Sequence, residues 1–506
     1  MKNRFIILIF VSAILFSSFI TNAQINNGFE SGLNRWAKSG AKENISLDSM
    51  NAHEGKYCAR IGKNASVMRK VEIAPLSVLQ FNFYIKCSDE ETKAFSILRF
   101  YDMHDRELME YKGGKISPTK YEQTGNYTEA PPFGKYAMIG IERDSTEGYV
   151  YVDDLDIELN IGVPSVQHEP VCNLDEYMKP FWKGDTVYNE TVLLYSENDK
   201  AANGRLLFTP TKIISLKSFD LKTDYKIGED YTIQNNVITK TVNSKMSFRA
   251  DTSFDRKNNL AWFNLQSQWV VVTYTHKEKW DNPTPAYKGS LLPNTIAKLK
   301  SKSPLNIIAY GMSITRGLDV SSYDSVPPYM PTYVELLARE LRKKYKHQNI
   351  KLYNAGLPGA TVDWGADYAD KYVNLLKPDL VIIDFGMNDF WRLSPDEFKK
   401  YIQVMIDKIK KSNSKTEFLL LSNMDFDPDY ILDSDKNKKF YVTNMQGYKK
   451  VLKEFETNGI ANLDMTTLSD IIYQKKKAKD CIVNPLHPND YLARWYAQCM
   501  SAMLIK

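Results

Sequence analysis

Five short apolar runs recur through the C-terminal part of the chain: Leu305 to Ala309, Ile350 to Tyr353, Leu380 to Ile383, Phe418 to Leu421 and Ile460 to Leu463. Helical patterns lie between them, among them Pro331 to Tyr345, Phe398 to Lys410 and Gln446 to Phe455. Short continuous apolar runs alternating with helices predict a parallel sheet covered on both faces. This reading assigns residues 301–506 to an α/β domain. In such sheets the chemistry sits beyond the carboxyl ends of the strands, so the segments just after the runs are where functional residues are sought.

The texture upstream is different. From residue 24 to 160 short β-branched and aromatic stretches, such as Val78 to Ile85 and Tyr149 to Val152, are bounded by Gly, Asn, Asp and Pro. With no long 3.6-residue period, an all-β sandwich is expected there. A Gly/Pro-containing stretch around Gly162 to Pro170 separates it from a second β-rich segment, residues 161–300, with strand patterns at Thr191 to Tyr195, Arg205 to Phe208 and Val270 to Tyr274. The chain of 506 residues is therefore multidomain.

Residues 1–23 have the layout of a secretory signal peptide: Lys2 and Arg4, an apolar run from Phe5 to Ile20, then Thr21-Asn22-Ala23. A mature chain starting near Gln24, secreted or periplasmic and without stable membrane insertion, is expected. The five cysteines, Cys58, Cys87, Cys172, Cys481 and Cys499, are too sparse for a disulfide scaffold. Cys58 and Cys87 either pair or stand as buried thiols. The net charge of +5 is spread over a large surface and gives no argument for nucleic acid. Arg342-Lys343-Lys344 and Lys475-Lys476-Lys477 read as solvated helix faces.

Four segments carry chemistry. After the first run comes Gly311-Met312-Ser313-Ile314-Thr315, a serine on a tight turn whose hydroxyl is exposed and whose own N–H can hold an oxyanion. After the second comes Asn354-Ala355-Gly356-Leu357-Pro358-Gly359, where glycine lets a backbone N–H approach a reacting carbonyl. After the third comes Gly386-Met387-Asn388-Asp389, with an amide as a further donor. Near the C-terminus stands Asn484-Pro485-Leu486-His487-Pro488. Of the six histidines, His53 and His104 fall in the sandwich, His168 in a linker and His347 in a charged helix tail, leaving His276 as the rival to His487 for the base. A serine, a histidine and several donors make acyl transfer the reaction class, with no cofactor required.

These motifs resemble the SGNH (GDSL-like) hydrolases from about Pro304 to the C-terminus. The resemblance implies Ser313 as nucleophile, His487 as base, and an oxyanion hole from the Ser313 N–H, Gly359 and Asn388. Two positions depart from the pattern: Met312 replaces an aspartate, and Asn484 stands where the triad acid belongs. The expectation is a Ser313–His487 pair without a carboxylate, its imidazole oriented by Asn484, with Asp480 and Asp490 the alternatives for a displaced acid. The segment Asn27 to Gly32 with Trp36, and the close Tyr151 to Ile157, resemble jelly-roll carbohydrate-binding modules. That likeness implies a structural calcium at Glu30 and Asp153, and glycan binding by exposed aromatics. Tyr323, Tyr329, Trp364, Trp391 and Asp363 surround the motifs and suit sugars. The expected function is an exported esterase removing O-acetyl groups from polysaccharide or oligosaccharide. The competing readings are a non-catalytic glycan-binding protein on the same fold, and an acyltransferase or lipase using the same serine.

Overall fold

The computed structural model describes residues 28–73, 77–131, 134–160, 169–196, 200–249, 268–428 and 435–506. Residues 1–23, read as a signal peptide, and residues 161–168 of the Gly/Pro-containing stretch lie outside them. No helix among the described residues is long and apolar enough to cross a membrane.

The N-terminal region is a β-rich jelly-roll sandwich of two five-stranded antiparallel sheets. One sheet runs Trp36–Ser39, Ser66–Glu72, Tyr136–Arg143, Ala94–Tyr101, Glu107–Lys112; the other runs Ile45–Asp48, Cys58–Ile61, Val150–Asn160, Val78–Cys87, Glu122–Glu129. The two-residue period of a strand explains the core. Leu79, Phe81, Phe83 and Ile85 are each at most 1% exposed, while Tyr84 and Lys86 between and beyond them face outward. Cys58 and Cys87 sit on strands separated by Val150–Asn160, and both are free, buried thiols. Burial pushes them up to about 12 and about 11 respectively.

The calcium expectation meets a different donor set. Glu30 Oε1 accepts the Lys56 and Tyr57 N–H groups at 2.8 and 2.9 Å. Asp153 Oδ2 accepts from the His53 and Glu54 N–H groups at 2.8 and 3.3 Å, and its Oδ1 from the Asp154 N–H at 3.0 Å. Calcium collects six to eight oxygens, whereas these carboxylates are taken up by backbone donors. These bonds tie the chain start, the turn at residues 53–57 and the last strand together. The neighbouring cluster of His53, Glu54 and Asp154 holds a 2.7 Å contact between His53 Nδ1 and Asp154 Oδ2 rather than an all-oxygen shell.

The second β-rich segment forms two three-stranded sheets, Thr186–Leu193, Trp269–His276, Pro210–Ser218 and Asn203–Arg205, Val237–Lys240, Tyr231–Gln234. Its first strand is bolted to the C-terminal part of the chain. Lys476, expected on a solvated face, is buried and donates to Glu190 Oε1 at 2.5 Å and to the Thr191 carbonyl at 2.8 Å. Glu190 also accepts from the Leu207 N–H at 2.8 Å and the Tyr274 hydroxyl at 2.7 Å. An ion pair this deep holds only when its remaining lone pairs are satisfied.

The C-terminal domain contains β1 (Leu305–Gly311), α1 (Ser313–Arg316), α2 (Tyr333–Tyr345), β2 (Ile350–Gly356), α3 (Val362–Tyr372), β3 (Leu380–Asp384), α4 (Pro395–Ser412), β4 (Glu417–Ser422), α5 (Lys438–Glu454), β5 (Ile460–Asp464), α6 (Met465–Lys475) and α7 (Asp490–Leu504). The five strands are parallel in the order β2-β1-β3-β4-β5. Every residue of β3 and β4 is buried, as a sheet covered on both faces requires. Helix α7 is buried almost all round. Its Arg494 donates to the Tyr188 and Asn189 carbonyls at 3.0 and 2.7 Å, which seals it against the β-rich segment. The sandwich strand Glu107–Lys112 packs on α3.

Candidate active site

Ser313 is the first residue of α1, directly beyond the carboxyl end of β1. Gly311 makes the turn possible: a Cβ there would lie 2.1 Å from Thr315 Oγ1 and 2.3 Å from the Asp384 carbonyl oxygen. As the first helical residue, Ser313 keeps an N–H without an intrahelical acceptor. Met312 is fully buried. The polar anchor of this turn comes from Asp384 at the end of β3. Its carboxylate accepts from Thr315 Oγ1 at 2.8 Å, from the Tyr333 hydroxyl at 2.6 Å and from Asn423 Nδ2. Burial raises Asp384 to about 6.

His487 Nε2 lies 2.8 Å from Ser313 Oγ. On its other side, Nδ1 stands 2.5 Å from Asp319 Oδ2. A carboxylate at Nδ1 keeps the ring proton there and leaves the Nε2 lone pair facing the serine. The expectation of a pair without a carboxylate is therefore corrected. Asn484 does not present its oxygen to the imidazole either. Its Oδ1 accepts the Leu486 N–H at 2.9 Å, and its Nδ2 donates to Asp319 Oδ2 at 2.5 Å, passing 2.9 Å from His487 Nδ1. The amide nitrogen thus touches both the carboxylate and the imidazole.

The two alternative carboxylates are engaged elsewhere. Asp480 Oδ1 accepts the Leu193 N–H at 2.7 Å, and Asp490 accepts from Ser321 N and Oγ at 2.8 and 2.6 Å. Burial raises both to about 6. His276, the rival base, is buried and stacked on Phe208 at 4.1 Å, away from Ser313 in the β-rich segment. Sequence reasoning missed Asp319 because it looked for the acid near the histidine. Asp319 instead follows the serine, in the left-handed region at φ 65°, which aspartate tolerates better than most residues.

The two further donors expected from the sequence stand on the loops after β2 and β3. Asn388 Nδ2 donates to the Ala360 carbonyl at 2.8 Å and lies 3.8 Å from Met312 Sδ, a weak acceptor. Gly359 has φ 77°, and a Cβ there would meet nothing within 4 Å, so the conformation rather than space calls for glycine. Asp389 couples the two loops, accepting from the Val362 N–H at 3.0 Å and Arg392 Nη2 at 2.8 Å. Of the aromatics, Trp364 packs among Tyr310, Tyr368 and Tyr372 as core, whereas Trp391 is 40% exposed. Asp363 pairs with Arg392.

A five-stranded parallel sheet with these loops at its carboxyl edge is the SGNH type of α/β fold. Residues 309–494 match the model of the GDSL-like Lipase/Acylhydrolase family. No curated protein matches the chain. Among solved structures it is similar to a two-domain esterase (CEX) active on acetylated mannans, co-crystallised with mannopentaose, at 21% identity over 43% of this chain and 53% of that one, with a TM-score of 0.34. It is similar to TmCBM61 in complex with β-1,4-galactotriose at 19% identity over 26% of this chain and 95% of that one, TM-score 0.21. It is also similar to the enzymatically active domain of tailspike protein 4 of bacteriophage CBA120, at 14% identity over 27% of this chain and 21% of that one, TM-score 0.24. The chain spans about half the length of the esterase and about a fifth of the tailspike domain.

Proposed function

We propose that the chain is an exported serine esterase that removes O-acetyl groups from polysaccharide or oligosaccharide, with Ser313, His487 and Asp319 as its triad. The row Asp319–His487–Ser313, at 2.5 and 2.8 Å, carries this reading. Ser313 Oγ attacks the acetyl carbon while His487 Nε2 takes its proton. The oxyanion is held by the Ser313 N–H, the Gly359 N–H and Asn388 Nδ2. His487 returns the proton to the sugar oxygen as the C–O bond breaks, leaving acetyl-serine. Water then attacks, His487 takes its proton and passes it to Ser313 Oγ, and acetate leaves. Asp319 stabilises the imidazolium in both halves.

The carbohydrate substrate is supported by exposed Trp391, three residues after Asn388, whose ring suits a sugar face. The outward sandwich face adds Arg60, Tyr151 and Lys86, directly opposite one another across three strands, with Tyr84 two residues before Lys86. A polar, aromatic row of this kind suits weak glycan binding. The signal-peptide layout of residues 1–23 supports export.

The test is acetate release by the mature chain from acetylated glycans. Turnover is expected to fall at least about a thousandfold in Ser313→Ala. Faster hydrolysis of long-chain esters than of acetyl esters would favour a lipase, and transfer of the acetyl group to an added glycan an acyltransferase. Unchanged turnover in Ser313→Ala ends the assignment.

A further inference from the structure

The loop that carries Asp319 is fixed at two points. Upstream, the Gly317 and Leu318 N–H groups both donate to the Ser313 carbonyl, at 3.0 and 3.1 Å. Downstream, Ser321 is fully buried and gives both its N–H and its hydroxyl to the two oxygens of Asp490, at 2.8 and 2.6 Å. The same hydroxyl accepts the Met330 N–H at 2.8 Å, and the Ser321 carbonyl accepts the Val326 N–H at 2.9 Å. Ser321 is thus the hub of the whole segment from Gly317 to Met330.

Asp490 stands where the histidine arm also ends. It is the first residue of α7, three residues after His487, and Asn489 between them is the helix cap. Asn489 accepts from the Tyr491 and Leu492 N–H groups and donates to the Asp480 carbonyl and Thr191 Oγ1 at 2.9 and 3.0 Å. The base therefore hangs from one side of this helix start and the acid loop from the other.

We propose that Asp490 is a positioning residue for catalysis: through Ser321 it holds Asp319 at His487 Nδ1, so that the start of α7 sets the spacing of acid and base. This rests on the Ser313–His487 reading above. A charge at a helix start needs no further partner than the first-turn N–H groups. Asp490 instead spends both oxygens on one serine in a distant loop. Both residues are at least nine-tenths buried, so no water replaces either bond. Burial raises the Asp490 carboxyl to about 6, against the two Ser321 donors and the Arg494 charge, which pull it down. Asp319 itself sits in the left-handed region at φ 65°, two residues before Ser321, so its side chain points where the loop anchored at Ser321 directs it.

Ser321→Ala and Asp490→Asn, made in the full chain, test this with a chromogenic acetate ester. Both are expected to lower kcat by about 10- to 100-fold with KM little changed, as displaced catalytic groups do. Both are expected to move the acid limb of the pH–rate profile in the direction that Asp319→Ala moves it. Asp319→Ala/Asp490→Asn is expected to be no slower than Asp319→Ala alone, since a clasp has nothing left to hold. A structural role alone gives a lower melting temperature with kcat and the pH profile of the unaltered chain, or multiplying losses in the double variant; either result overturns the proposal. Ser321→Ala keeps the N–H bond to Asp490 and decides the matter if Asp490→Asn does not fold. Ser313→Ala is run alongside: full turnover there refutes the esterase reading itself, independently of the clasp.

Discussion

Replacing Asp319 by asparagine isolates the charge of the triad acid from its geometry. A new amide at such a position costs about four orders of magnitude when it turns its N–H to the imidazole and imposes the wrong tautomer. Here Asn484 Nδ2 already donates to the Oδ2 position of residue 319 at 2.5 Å. That donor turns the oxygen of an introduced amide toward His487, so Nδ1 keeps an acceptor and the tautomer stays correct. What is lost is the attraction between carboxylate and imidazolium. With Nδ1 and Oδ2 2.5 Å apart, the charge centres are roughly 4 Å apart, worth about 4 kcal/mol at an effective dielectric of about 20. The side chains of His487 and Asp319 are 16% and 24% exposed. Water at that level trims the figure to about 3 kcal/mol, or about a hundredfold in rate. Asp319→Asn should thus lose about a hundredfold in kcat/KM, and Asp319→Ala, which removes the acceptor too, about ten times more. Asn484→Ala in the Asp319→Asn background should bring the loss down to that of Asp319→Ala. Steady-state hydrolysis of a chromogenic acetate ester across pH reads all four proteins. Activity of Asp319→Asn within about threefold of the unaltered chain would show that the carboxylate is a bystander.

Asn388→Ala should lower kcat by about 100- to 1,000-fold with little change in KM, since the oxyanion exists only in the transition state; an equal rise in KM would contradict that role. Glu190→Ala removes the nearer carboxylate of the buried Lys476 ammonium, leaving Asp480 Oδ2 at 3.9 Å, and should cost about 3 kcal/mol in urea unfolding; a loss below about 1 kcal/mol would mean that Asp480 or water takes over the charge. Chelation with EDTA should leave the melting temperature unchanged, because Glu30 and Asp153 are satisfied by backbone N–H groups; a clear drop would put calcium there. Asp384 keeps its proton to about pH 6 in the fold but releases it near 3.8 when unfolded. Native protein then binds more protons between those values, so this group's contribution to stability is present below about pH 4 and is lost as the pH rises through about 6. Asp384→Asn should flatten that part of the stability profile measured by urea midpoints, and an unchanged slope would show that Asp384 is ionised throughout.

The parallel sheet is legible because a strand buried on both faces has no polar side to interrupt its apolar run. Leu380 to Asp384 reads this way, and all five residues are buried. Its carboxyl edge then points to Ser313, Gly359 and Asn388. Lys476 misled for the opposite reason. A lysine in a basic run at a helix end looks solvated, and the partner that lets it be buried, Glu190, belongs to another segment of the chain. Trp364 beside the site looked like a sugar platform, but the helical period that brings Tyr368 and Tyr372 onto the same face makes it core.

Asp319 shows the limit most clearly. A triad acid has one duty, to place an oxygen at Nδ1 of the base, and any backbone that reaches that point can do so. No spacing rule follows from that duty. In the triad proposed above, the acid stands six residues past the serine, in the left-handed region. The residue at the late position, Asn484, keeps a share in the task by donating to the acid. The consequence is directional. The base moves with α7 and the acid moves with the serine turn, so the triad is complete only while those two elements are in register. The Ser321–Asp490 bonds join them. Any perturbation that slides α7 against β1, including loss of the Arg494 bonds to the β-rich segment, should be felt first as a fall in kcat and only later as unfolding. Arg494→Lys, measured by turnover and melting temperature together, separates the two: a fall in melting temperature with kcat intact would show that the register does not depend on that seal.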